Sequence, residues 1–132
     1  MKQVTRASVD TAASHRKAHL LKEDPGSKVS YVMDDSVPRA LIEVFRQDKL
    51  AALEFVESVD TAGKQDNMED YRAAAMEFGV IIIHFPEANY TRDIALTIFN
   101  DILGRLKAMG AGPNLDLHGF VYAENGTFKK VR

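Results

Sequence analysis

Between Gly79 and Pro86 the chain reads Val-Ile-Ile-Ile-His-Phe, a short run rich in β-branched residues and apolar on both of its alternating sides. A strand of that kind does not tolerate water on either side, so it reads as the central strand of a sheet covered on both faces. The requirement selects an α+β or small α/β fold, because helices are the natural cover. The length of 132 residues suits one domain, with roughly 6,900 Å² of folded surface expected from its mass.

Around that strand the remaining elements follow from pattern. Residues 9–22, with Ala12, Ala13, Ala18, Leu20 and Leu21, suggest a helix stopped by Asp24-Pro25-Gly26. Its apolar face is thin, so residues 1–27 are expected to form either a docked helix or a mobile N-terminal arm. Residues 28–132 form one globular domain. Lys28 to Met33 (KVSYVM) alternates and reads as a strand. Asp34-Asp35-Ser36 and Pro38 look like a helix start, and Leu41, Ile42, Phe45, Leu53, Val56 and Val59 recur at helical spacing. One helix, or two broken near Asp48, is therefore expected over 38–59.

Asn67 with Asp70 resembles a capping box for a helix over 68–78 that Gly79 closes. Asn89 or Thr91 caps the strongest helix, over 92–109, and Gly110 to Pro113 stops it. Residues 115–123 alternate, and Asn125-Gly126 signals a type I′ hairpin turn into a returning strand over 127–131. The expected architecture is a sheet of about four strands covered by helices, in the order α-β-α(α)-α-β-α-β-β with a C-terminal β-hairpin.

The absence of cysteine excludes disulfides, thiolate chemistry and Cys-ligated metals. No apolar segment is long enough to suggest a leader or a membrane span, so a cytoplasmic protein without membrane partners is expected. Residues 1–33 carry six basic and three acidic groups, 129–132 carry three basic ones, and the segment between carries eight against sixteen. An acidic body with basic ends disfavours binding to duplex DNA, which needs a clustered basic surface.

Chemistry concentrates at the junction leaving the central strand. His84, Asn89, Tyr90, Thr91 and Arg92 run off its carboxyl end into a helix start, where backbone N–H groups converge on an anion. His118 lies on a strand that is a candidate neighbour of the one carrying His84. With Glu87 and Asp116 the two histidines could form a metal site or an acid–base pair, but a hydrogen-bonded core histidine is the commoner fate of such a residue. His15 and His19 share one helical face, yet Arg16-Lys17 between them repels a dication, so a solvated face is expected there. Neither the carboxylates, Glu54 and Glu57 among them, nor the serines fall in a catalytic spacing, so no catalytic residue, metal or other cofactor is assigned. Phe120, Tyr122, Phe128 and Lys129 form a basic and aromatic ribbon suited to a subunit interface or to core cover.

Three readings follow. The first is a non-enzymatic accessory protein that binds another protein and itself as a homodimer, through the ribbon. The second is a small-molecule or anion-binding protein, with or without catalysis, whose site is the 84–93 junction with His118 nearby. The third is single-stranded nucleic-acid binding through the basic arm and the hairpin.

Overall fold

A computed structural model describes residues 4–87, 92–112 and 114–132. A six-stranded sheet runs through the molecule in the order β1 (Lys28–Met33), β2 (Ala40–Arg46), β3 (Lys49–Val56), β4 (Val80–Pro86), β5 (Asp116–Tyr122) and β6 (Phe128–Lys130). The first three strands are an antiparallel meander; β3, β4 and β5 run parallel, and β6 returns antiparallel. Helix α1 (Arg6–Glu23) packs on one face, while α2 (Val59–Ala62), α3 (Gln65–Phe78) and α4 (Arg92–Ala108) contribute to the core of the other. The α+β class holds, with six strands rather than four. The accessible surface, 7198 Å², is close to the expectation from mass.

The central-strand reading of VIIIHF is correct in its physics. Ile81, Ile83 and Phe85 enter the core with α3 and α4, and His84 is fully buried on the α1 side. Phe85 stacks on Phe99 of α4 at 4.5 Å between ring centroids. Gly119 makes room for this packing, since a Cβ there would lie 2.4 Å from the Phe99 ring.

The expected helix over 38–59 is instead the β2–β3 hairpin. Ala40, Ile42 and Val44 are buried with α1, whereas Leu41, Glu43 and Phe45 alternate onto the opposite face. Apolar residues occupy both faces of these strands, and that double occupancy mimics helical spacing. The lapse at Gln47-Asp48 is the turn itself, with φ of 53° and 62° at the two residues, the signature of a type I′ connection. Asp34 caps no helix. Its Oδ1 accepts from the Ser36 and Val37 N–H groups at 2.9 and 3.3 Å, bending the chain from β1 toward β2.

Two smaller expectations also change. Asn67 is buried inside α3, donating to the Thr61 carbonyl at 2.6 Å, and the helix starts earlier, after Lys64. The C-terminal hairpin exists, but only Gly126 is left-handed (φ 89°) and its N–H closes on the Ala123 carbonyl. Asn125 keeps a negative φ, so this is a glycine-bulged turn and not the two-residue type I′ form.

Candidate functional site

Strand β3 and the residue just after it carry two buried carboxylates, Glu54 and Glu57, one serving each face of the sheet. Glu54 points to the α1 side. Its Oε1 sits 2.5 Å from His84 Nε2 on the adjacent strand. Arg16 of α1 forks onto the same carboxylate, Nε to Oε1 at 2.7 Å and Nη2 to Oε2 at 3.1 Å. The Phe120 ring completes the group: His84 stacks on it at 5.1 Å and the Arg16 guanidinium lies 5.5 Å from its centroid. Burial pushes the Glu54 carboxyl upward, but its hydrogen bonds from His84 and Arg16 and the Arg16 charge prevail and hold it at about 2. Burial pushes the His84 imidazole down, against the pull of Glu54.

An ionised carboxylate has no proton to give, so the hydrogen between Glu54 and His84 belongs to Nε2; in the neutral ring that burial favours, Nδ1 is an acceptor. That Nδ1 is buried without a hydrogen-bond partner. Tyr122 meets the His84 ring edge-on at 5.3 Å and is 2% exposed. Its hydroxyl, raised by burial and pulled back by the charge and polar contact of the adjacent Arg16 guanidinium, makes no bond of ordinary hydrogen-bond geometry.

Tyr122 also lines a cavity of about 440 Å³ between the first half of α1 and the end of β5, with Thr5, Ser8, Thr11, Ala12 and Glu124 among its walls. Parallel sheets bind ligands at the carboxyl ends of their strands. The Glu87 N–H donates to the Tyr122 carbonyl at 2.7 Å, which brings the start of the 84–93 junction to this same edge.

Glu57 serves the other face and is entirely buried. Arg39 forks onto it at 2.9 and 3.0 Å, Thr61 donates at 3.1 Å, and the Tyr71 hydroxyl donates to Oε2. Arg39 Nη1 also reaches Asp70 at 2.9 Å. Burial raises the Glu57 carboxyl against the pull of these partners, and each of its oxygens is doubly bonded. The network is closed: it ties β2, β3 and α3 together.

Of the residues singled out in the sequence, His84, Phe120 and Tyr122 converge in the α1-side cluster. Asn89, Tyr90 and Thr91 lie outside the described residues. Arg92 is exposed at the first position of α4. His118 pairs in register with Ile82 rather than with His84, and its Nε2 meets Asp116 at 3.1 Å. Phe128 stacks on Tyr122 at 5.1 Å and is 36% exposed, and Lys129 faces solvent. His15 and His19 do not stand on a free face: His15 bonds the Glu124 carbonyl at 3.0 Å and His19 meets the Phe128 ring. No group of three His, Asp or Glu side chains among the described residues is placed to hold a metal. No helix among the described residues is long and apolar enough to cross a membrane.

The residues that sequence reasoning missed are Arg16, Glu54, Arg39, Glu57 and Tyr71. The signal was a pair of carboxylates inside the apolar run LAALEFVESV, legible only once that run is read as a strand. Comparison with known proteins finds no family model that matches the chain and no curated protein that matches it.

Proposed function

We propose that this protein binds a small, neutral, hydroxyl-rich molecule in the cavity between α1 and the carboxyl end of β5. The observation that carries the reading is the cavity wall at Tyr122, whose buried hydroxyl makes no bond of ordinary hydrogen-bond geometry, with the partnerless His84 Nδ1 buried behind its ring. Leaving such atoms unpaired costs about 1–3 kcal/mol each, a penalty that folds retain chiefly at functional sites. The ligand class follows from the charges. Arg16 and Glu54 cancel, and His84 is neutral, so no unpaired charge in the cluster awaits an ion. A hydroxyl can meet Tyr122 Oη as donor or acceptor, and Thr5, Ser8 and Thr11 line other walls of the cavity. Its volume lies in the range of small-molecule sites. Glu54 orienting His84 is also the arrangement that holds a general base, so turnover of the bound molecule is chemically open to the same site.

The test is a thermal-shift panel of glycerol, ribose, glucose and inositol, with sulfate and phosphate as anionic controls. The expected result is a rise in Tm with at least one polyol, absent in Tyr122→Phe. The unliganded Tyr122→Phe protein should be as stable as the wild type, or more stable by up to about 1–2 kcal/mol, because it loses an unsatisfied hydroxyl. If no polyol shifts the wild type, the reading fails. It also fails if Tyr122→Phe is destabilised, as loss of a bonded hydroxyl would make it.

A further inference from the structure

The two edges of the sheet are built differently. β6 is three residues long, all exposed, and carries Lys129 and Lys130, a short charged edge of the kind that resists pairing. β1 is six residues long, pairs only with β2, and has one lysine, at its start. Beside it the helical layer stops short. Val32 is 60% exposed, and with the half-buried Leu41 and Leu53 it lines a groove of about 290 Å³ that Asp34, Arg39 and Asp70 also border. A long unguarded edge next to an uncovered apolar strip invites another strand.

We propose that β1 pairs antiparallel with β1 of a second copy of this chain, about a two-fold axis at Tyr31, joining the two sheets into one. Residues directly opposite in an antiparallel pair lie on the same face, so such an axis must pass through a residue rather than between two. Centring on Tyr31 sets Lys28 opposite Asp34 of the second copy, Val29 opposite its Met33, and Ser30 opposite its Val32. Centring on Ser30 would set Lys28 against Val32 instead and leave the acidic end unmatched. Only the first register is complementary in charge, and it is so at both ends at once.

The groups are available for it. Lys28 has only a 3.5 Å contact with Asp48, both side chains more than four-fifths exposed. The Asp34 carboxylate takes its bonds from Ser36 and Val37 through Oδ1, leaving the other oxygen to the second copy. The Tyr31 side chain is drawn off the edge by its 2.7 Å bond to Asp10 of α1. The arrangement closes on itself, as isologous interfaces do, and it walls the open side of the groove.

The chain has no cysteine, so single cysteines report the register cleanly. The wild type should run as a dimer by light scattering across the micromolar range. Under mild oxidation Tyr31→Cys should cross-link to itself, and Ser30→Cys should not. Lys28→Glu should weaken the dimer roughly tenfold, the effect of two exposed ion pairs turned repulsive, and adding Asp34→Lys should restore it. A monomeric wild type overturns the proposal. So does self-linking of Ser30→Cys in place of Tyr31→Cys, or a charge reversal that leaves dimerisation unchanged.

Discussion

Arg16 is the residue by which the N-terminal helix is fastened to the sheet. It is 8% exposed, and its guanidinium is matched on Glu54, so removing it leaves a buried carboxylate short of its main countercharge. Arg16→Ala should cost about 3–5 kcal/mol in urea unfolding. The double change Arg16→Met with Glu54→Leu should recover most of that loss, since a buried pair exchanged for apolar side chains is often neutral. His84 gives the pH dependence. Burial holds its pKa below the ordinary 6.5, so below that pH the unfolded chain takes up a proton that the folded one refuses. Stability should therefore fall as pH drops from 7 toward 5. Glu54, held low, adds a further loss below about 4.5, while Glu57, raised by burial, opposes it. His84→Gln should flatten the first part of the curve, and an unchanged slope between pH 7 and 5 would contradict the neutral buried imidazole. His84 was legible because its run is so strongly apolar. Its partners were not, since Glu54 lies 30 residues away along the chain and Arg16 a further 38, distances that no local spacing reveals.

Among the elements, the β2–β3 hairpin shows where periodicity misleads. Leu41, Ile42 and Phe45 satisfy a helical template and a two-sided strand equally well, and turn chemistry decides between them. Here that chemistry is atypical, because Gln47 and Asp48 adopt positive φ without glycine. Asp48→Gly should accordingly stabilise the protein by about 0.5–1 kcal/mol in thermal unfolding. The central strand and the α4 and β5 segments gave no such trouble, since each is longer than its ambiguity. At Gly119 the reverse sensitivity applies. A methyl group driven into the Phe99 ring has to displace the α4 packing, so Gly119→Ala should cost about 1–3 kcal/mol.

For the whole molecule, α1 covers the aromatic ribbon that the sequence pattern leaves open. Tyr122 is 2% exposed, Phe120 sits beneath Arg16, and Phe128 packs against both Tyr122 and His19. Rings so engaged leave only part of Phe128 open to bases, while Lys129 and Lys130 remain solvated at the edge. Retention on immobilised single-stranded DNA should therefore be weak and be abolished by a modest addition of salt. The division into layers was legible from one strand. Which helix covers which face was not, because residues 9–22 carry too little apolar surface to announce a buried side.

That thin face has a consequence during synthesis. His15 meets the chain 109 residues further on, at Glu124, so α1 leaves the ribosome long before the hairpin it rests against. At ordinary translation speeds the interval is about 5–20 s. A strongly greasy helix waiting that long would invite chaperones or clumping. Val9, Ala12 and Ala13, with an arginine as the main anchor, let α1 wait in water for β5 and β6 to arrive.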